Sequence, residues 1–185
     1  MIDPSPTFLE ERRRLGHDRK DEVWDGVLHM VPPPSFKHQE LDSELLVTLA
    51  PLVKRRGLKI VPEAGLFLRH DEYRVPDLMV LDPKYIVERG VDHRAELVIE
   101  ILSPNDESRQ KFGFYAKCNV SEFWLIDPIT RAFEIYVLRG GTYFAVADDA
   151  GVTRAPLLDL KLSVVDGPKL RIEWPQQGTV GSAEI

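Results

Sequence analysis

Cysteine is nearly absent from this chain of 185 residues, in which Cys118 stands alone. A single cysteine cannot form an internal disulfide, so the class of small disulfide-stabilised domains is excluded. The apolar content of 43% is that of an ordinary globular protein, which excludes global disorder. The chain must therefore fold around a hydrophobic core, and its length can supply one.

Long apolar runs are also absent. No window of about eighteen residues is apolar throughout, so no membrane-spanning helix is expected. The first residues, Met1 to Pro4, lack the basic and then apolar pattern of a signal segment. We therefore expect a cytoplasmic protein with no membrane attachment.

Positive charge is in short supply. The chain has 24 Lys and Arg residues against 30 Asp and Glu residues, so its formal net charge is −6. This surplus of acids argues against a protein that coats nucleic acid by bulk attraction. It leaves open a local site that meets phosphate groups through metal ions.

Several well-known site motifs are missing as well. The sequence has no glycine-rich phosphate loop, no Cys and His spacing typical of zinc sites, and no serine-hydrolase elbow. The chemistry of the protein must therefore rest on other residues.

The pattern of apolar residues predicts a domain of the α/β or α+β class with a mixed central sheet. Asp25-Gly26 between two apolar runs predicts a hairpin, and leucines spaced by three and four predict a helix from Ser35 to Arg56. Pro51 is expected to kink or end that helix. Leu97 to Leu102 predicts a strand that is covered on both faces. Other predicted elements are strands at 58–61, 66–69, 75–81, 123–126, 133–138 and 143–147, weaker strands at 162–165 and 170–172, and a helix over 106–118.

We expect one domain over residues 1–185, with its core at about 20–147. The first 20 residues or so and the C-terminal tail are predicted to be peripheral, and the residues from Gln176 onward to be frayed.

Two acids stand out because each lies within an apolar strand. Asp77 follows Pro76 in the predicted strand 75–81, and Glu100 interrupts the run from Leu97 to Leu102. A carboxylate in such a place is costly unless it is paired, hydrogen-bonded or bound to a cation. If the two strands are neighbours, the carboxylates converge at one end of the sheet, where they suit Mg²⁺ or Mn²⁺. The alternative is that each acid caps a strand end or meets a buried arginine.

Lys111 is a third candidate. It lies one helical turn before Tyr115 and next to Phe112, so it borders the apolar face of the predicted helix. Its long stem can carry the ammonium toward Glu100, where it would stabilise negative charge on a phosphate. The alternative is an ordinary surface lysine.

These residues resemble, in order and spacing, the Uma2 family, whose members are similar to restriction endonucleases of the PD-(D/E)XK superfamily. The resemblance runs from about Trp24 to Leu138. The segments that carry it are Trp24-Asp25-Gly26, Pro32-Pro33-Pro34-Ser35 with His38, Pro76-Asp77, Glu100-Ile101-Leu102-Ser103-Pro104, Lys111-x-x-x-Tyr115, and Glu122 to Pro128.

The resemblance implies a restriction endonuclease-like mixed central sheet flanked by helices, with extra antiparallel strands. It implies that Asp77 and Glu100 are catalytic metal ligands, with the backbone carbonyl of Ile101 as a third ligand. The superfamily lysine normally lies two residues after the acid, where this chain has Leu102, and Lys111 matches the place to which Uma2-like chains have moved it.

Restriction endonuclease-like folds often take a further acid from the first helix of the core. Glu44 and Glu40 are the candidates for that acid, and His38 is a second kind of candidate on the same helix. Glu63, just before the strand at Leu66, is a weaker candidate. The alternative for His38 is a hydrogen-bonded residue of the interior.

The resemblance leads to three functional hypotheses. The first is an Mg²⁺- or Mn²⁺-dependent endonuclease that hydrolyses phosphodiester bonds in DNA. The second is a catalytically weak or silent module of the same fold that binds a partner or nucleic acid. The third is a metal-dependent hydrolase of a small phosphorylated molecule. A homodimer is expected because restriction endonuclease-like domains often pair.

Overall fold

The computed structural model describes residues 5–104 and 107–185. The helices of this part of the chain are α1 (Pro6–Leu15), α2 (Phe36–Arg55) and α3 (Phe112–Lys117), with 3₁₀ turns at Pro83–Tyr85 and Ser108–Lys111. The strands are β1 (Glu22–Trp24), β2 (Val27–His29), β3 (Lys59–Pro62), β4 (Leu66–Arg69), β5 (Glu72–Arg74), β6 (Leu78–Leu81), β7 (Ile86–Val87), β8 (Gly90–Asp92), β9 (Leu97–Ile101), β10 (Glu122–Ile126), β11 (Phe133–Arg139), β12 (Thr142–Ala145), β13 (Asp148–Asp149), β14 (Val152–Ala155), β15 (Leu160–Val165), β16 (Lys169–Gln176) and β17 (Thr179–Glu184).

The strands form three sheets. The central sheet has the order β12-β11-β10-β9-β6-β3, the hairpin sheet has the order β2-β1-β5-β4-β8-β7, and the C-terminal sheet runs β13-β14-β15-β16-β17. In the central sheet β9 and β10 are parallel, whereas β6 and β9 are antiparallel. The predicted mixed central sheet is therefore confirmed.

Both faces of the central sheet are covered by other elements. Because side chains alternate along a strand, each buried strand contributes to the apolar clusters on both faces. Trp124 and Ile126 of β10 face α2 and the C-terminal sheet, while Phe123 and Leu125 face α3. Strands β6, β9 and β10 are buried along their whole length, and for β9 this confirms the prediction from the apolar run around Glu100.

The predicted hairpin is confirmed as β1 and β2, which pair with Trp24 opposite Val27. Its turn residues, Asp25 and Gly26, have φ angles of 47° and 81°. Positive φ at both positions is what a two-residue turn of this kind requires, and Asp-Gly tolerates it.

Helix α2 begins where predicted, since the Ser35 side chain accepts a hydrogen bond from the backbone N–H of His38. The prediction that Pro51 kinks or ends this helix is wrong in its stronger form, because the helix continues to Arg55. Proline in a helix forfeits one backbone hydrogen bond. Burial of Leu49, Leu52 and Val53 on either side of it offsets that loss.

The predicted fraying after Gln176 is wrong. Strand β17 pairs with β16 over six residue pairs, and the backbone N–H groups and carbonyls of Leu170 and Ile185 exchange hydrogen bonds. Leu162, Leu170 and Ile172 are fully buried in the same apolar cluster as the central sheet. The tail therefore covers one face of the core.

The predicted start of one strand was wrong, and the predicted start of one helix lies outside the described residues. The ladder of β6 begins at Leu78 rather than Val75, which leaves Asp77 just before the strand. Proline at position 76 has no N–H to donate to a ladder. The predicted helix start at Asp106 lies outside the described residues, and the described part of that element is the 3₁₀ turn followed by α3.

No helix in the described part of the chain combines the length and apolar character needed to cross a bilayer.

Candidate active site

Asp77 directly precedes β6, and Glu100 lies on the neighbouring strand β9. Leu78 of β6 pairs with Ile99 of β9, so the same register carried one residue further sets Asp77 opposite Glu100. Oδ2 of Asp77 accepts a hydrogen bond of 2.8 Å from the backbone N–H of Ile101. Residues directly opposite in an antiparallel pair have Cβ atoms about 5 Å apart, so the two acids share one end of the central sheet.

Glu100 is 4% exposed, on the face of the sheet that α3 covers. Its Oε1 accepts a hydrogen bond of 3.0 Å from Nζ of Lys111 and another from the hydroxyl of Tyr115. Burial raises the pKa of Glu100, and the nearby charges of Asp77 and Glu22 raise it further, while Lys111 and Tyr115 act in the opposite direction. The carboxylate is thus expensive to ionise without positive charge close to it.

Lys111 ends the 3₁₀ turn that leads into α3 and is 8% exposed. Its Nζ lies 3.0 Å from Oε1 of Glu100 and 3.0 Å from Oε1 of Glu22. Burial by itself would lower the pKa of Lys111, but the two carboxylates raise it above its ordinary value. Lys111 is therefore not a surface lysine. Its ammonium contacts Glu100, whereas the position two residues after Glu100 is occupied by Leu102, which has no charge to offer.

Glu22 is the site residue that the sequence analysis missed. It begins β1, is 2% exposed, and belongs to the hairpin sheet rather than the central sheet. Glu22 lies 89 residues before Lys111 in the sequence, and that separation does not indicate that the two side chains are in contact. The available signal was an acid at the start of the short apolar strand Glu22-Val23-Trp24, which is as costly to bury as Glu100.

His38 joins the site from α2. Its Nε2 lies 3.3 Å from Oδ2 of Asp77. Burial by itself would lower the pKa of His38, but the hydrogen bond to Asp77 and the charge of that carboxylate raise it. Asp42, one turn further along α2, is also buried, and its pKa rises to about 6 because of burial and the charge of Asp77.

The two acids of α2 proposed from the sequence, Glu40 and Glu44, do not reach this place. Glu44 forms a salt bridge of 3.4 Å with Arg131, and Glu40 pairs with Lys37 at 2.8 Å. Glu44, the further acid expected from the first core helix, is therefore withdrawn as a site residue. Glu63 lies nearer, because its backbone N–H donates to the carbonyl of Asp77 at 3.0 Å, and its carboxylate pairs with Lys20 at 2.6 Å.

A cavity of about 780 Å³ opens above the acids. Its walls are rich in proline and apolar side chains, among them Pro33, Pro128 and Ile129. The charged side chains that line it are Lys20, Glu22, Asp77, Glu100, Glu107, Lys111 and Asp127. Among the described residues of this lining, five acids stand against two lysines, and an acid-rich cavity attracts cations.

The donor set fits a magnesium or manganese ion. The hydrogen bonds and ion pairs described for Asp77 fall on its Oδ2, and those described for Glu100 fall on its Oε1. Within 5–104 and 107–185, no three His, Cys, Asp or Glu side chains form a metal-binding group. Mg²⁺ commonly takes only one or two protein carboxylates and completes its octahedron with water and phosphate oxygens.

Comparison with known proteins agrees with this fold. The Uma2 family model, described as "Putative restriction endonuclease", matches residues 8–165. Among solved structures, the chain is similar to a crystal structure from Anabaena variabilis ATCC 29413 described as "a putative nuclease belonging to DUF820". The identity is 23% and the TM-score is 0.61, over 82% of this chain and 90% of the other. No curated protein matches the chain at a significant level.

The family match spans the hairpin, the central sheet with both acids, Lys111 and the first strands of the C-terminal sheet. The predicted restriction endonuclease-like fold is confirmed by the similar architecture of the solved structure. On these grounds the chain belongs to the Uma2 family.

Proposed function

We propose that this protein is a divalent-metal-dependent endonuclease that hydrolyses phosphodiester bonds in DNA. The observation that carries the proposal is the buried ammonium of Lys111, which touches Glu100 at the floor of a cavity that Asp77 also lines. The family's description and the nuclease name of the solved relative support the same activity.

Asp77 and Glu100 are proposed as the metal ligands, with the backbone carbonyl of Ile101 beside them. Hydrogen bonds orient both carboxylates, since Asp77 is held by the N–H of Ile101 and by His38, and Glu100 by Lys111 and Tyr115. In each acid these bonds fall on one oxygen, and the other oxygen is the one proposed to face a cation. Ligands oriented in this way bind metal more tightly than free side chains do.

A bound Mg²⁺ or Mn²⁺ supplies positive charge to the scissile phosphate and makes water a better nucleophile. Lys111 holds a second positive charge beside Glu100, and this charge stabilises the negative charge that develops on the phosphate oxygens. Because Lys111 is buried and hydrogen-bonded, its ammonium is already in position before the substrate arrives.

The acidic lining of the cavity limits how strongly the protein would bind the phosphate backbone of DNA. Lys20 pairs with Glu63, and His29 lies 3.6 Å from Glu107, so basic groups at the cavity already have acidic partners. Contact with the phosphate backbone is therefore expected to be weak, sensitive to salt and dependent on divalent cations.

The test is cleavage of supercoiled and single-stranded DNA in Mg²⁺, Mn²⁺ or a chelator. Wild-type protein is expected to cleave only with metal, and Asp77→Asn and Glu100→Gln are each expected to abolish cleavage. Glu44→Gln is the matched control, because Glu44 is an acid outside the cavity and should leave cleavage unchanged. Equal cleavage by wild type and both site variants would show that another site, or a contaminant, cuts the DNA.

A second candidate is a catalytically silent module that binds nucleic acid or a partner. The observation that favours it is the mutual neutralisation of Glu100 and Lys111, which leaves little free positive charge in the cavity. Folded protein that binds DNA but cuts none with either metal would support this alternative. A third possibility, a hydrolase of small phosphorylated molecules, would be supported by turnover of a phosphomonoester in the same assays.

A further inference from the structure

Both carboxylate oxygens of Glu22 accept hydrogen bonds. Its Oε1 accepts from Nζ of Lys111 at 3.0 Å and from the backbone N–H of Val75 at 2.8 Å. Its Oε2 accepts from Nε1 of Trp24 at 2.7 Å. With both oxygens engaged by fixed donors, Glu22 is held rigidly and is a poor metal ligand.

The chain contains a second glutamate in almost the same local setting. Glu122 begins β10 and accepts from Nε1 of Trp124 at 2.6 Å and from the backbone N–H of Leu157 at 2.9 Å. In both cases residues i and i+2 of a strand lie on one face, which brings the tryptophan N–H to the carboxylate. The contact with Lys111 is what distinguishes Glu22 from Glu122.

We propose that Glu22 is the positioning residue of Lys111 and sets how the ammonium is shared with Glu100. This inference rests on the proposed function only where it concerns cleavage. Nζ of Lys111 lies at the same distance, 3.0 Å, from each carboxylate. Without the charge of Glu22 the ammonium would pair with Glu100 alone and compete there with a metal ion.

The second hydrogen bond of Glu22 extends this role. Val75 lies two residues before Asp77, so one carboxylate oxygen ties both Lys111 and the segment that carries Asp77 to the hairpin sheet. Glu22 therefore couples the position of the ammonium to that of the other proposed metal ligand.

The test compares Glu22→Gln with Glu122→Gln in the full chain. Both variants remove one buried carboxylate that accepts from a tryptophan, so they control for general destabilisation. The direct readout is the rate at which an amine-reactive ester acylates Lys111, followed by peptide mass spectrometry. Glu22→Gln releases the Lys111 side chain from one of its two charged acceptors, so we expect acylation to be roughly tenfold faster in this variant and unchanged in Glu122→Gln.

Cleavage kinetics supply the second readout. The ammonium of Lys111 is proposed to stabilise charge that develops in the transition state. Its displacement in Glu22→Gln should therefore lower kcat roughly 10-fold or more, while KM stays within about twofold. If Glu22→Gln fails to fold, Glu22→Asp retains the charge on a shorter stem and should keep Lys111 protected from acylation while lowering kcat.

The two proposals fail separately. Faster acylation of Lys111 in a protein that cuts no DNA would support the positioning role and remove the nuclease. Acylation and kcat in Glu22→Gln that match those of Glu122→Gln would overturn the positioning role, whatever the activity of the wild type.

Discussion

The ammonium of Lys111 lies 3.0 Å from Oε1 of Glu22, a residue of the hairpin sheet that is 89 positions earlier in the chain. Lys111 shares its charge between this carboxylate and Glu100, and all three side chains are buried. One cation between two buried acids leaves a net negative charge, which is the electrostatic reason to expect a divalent cation next to it.

Lys111→Met is expected to lower the free energy of unfolding by about 3–5 kcal/mol, because it leaves two buried carboxylates without their cation. Urea denaturation measures this loss. Lys37→Met is the control, since Lys37 is exposed and its loss should change stability by less than about 0.5 kcal/mol. Adding Glu100→Gln to Lys111→Met should recover part of the loss, and a double variant no more stable than Lys111→Met would contradict this account.

Asp77→Asn is expected to weaken binding of Mn²⁺ by roughly 10–100-fold or more, because it removes a ligand charge while keeping an oxygen that can accept from Ile101. His38→Ala should weaken binding to a smaller degree, since His38 only orients the Asp77 carboxylate. Calorimetric titration of the folded protein with metal, without DNA, measures both. Unaltered affinity in Asp77→Asn would remove Asp77 from the proposed ligand set.

Asp42→Asn is expected to stabilise the protein above pH 7 and to lose this advantage at pH 4. The pKa of Asp42 is raised from 3.8 to about 6 by burial, so between these values the folded state binds more protons than the unfolded state. Stability contributed by Asp42 therefore falls as pH rises through that window, by roughly 1–3 kcal/mol in total. Thermal or urea unfolding from pH 4 to pH 8 measures the difference between variant and wild type. A difference between Asp42→Asn and wild type that stays constant across this pH range would contradict the assignment.

Removal of residues 177–185 is expected to lower Tm by roughly 5 °C or more, because it deletes β17 and the hydrogen bonds between Leu170 and Ile185. The exposed edge of β16 should also raise the tendency to aggregate. Scanning calorimetry and light scattering measure the two effects. An unchanged Tm would mean that the segment frays, as the sequence alone predicted.

Elements that depend on a few consecutive residues were predictable from the sequence, whereas elements that depend on distant residues were not. The hairpin at Asp25-Gly26 and the start of α2 at Ser35 were predictable, because turn geometry and helix capping depend on a few consecutive residues. The fraying of the tail was predicted wrongly, because β17 is stabilised by pairing with β16 and by the core beneath the sheet rather than by its own composition.

By itself the sequence determined that Asp77 and Glu100 needed a partner, because an acid in an apolar strand cannot be buried alone. It also made Lys111 a candidate, because this residue borders the apolar face of the predicted helix. Only the tertiary structure decided which groups meet these residues. It brought Glu22 and His38 to the site, whereas Glu44 forms a salt bridge with Arg131 outside the site. The physical reason is that the pairing of buried charges depends on which sheets and helices pack together, and hydrophobic burial over the whole chain fixes that packing.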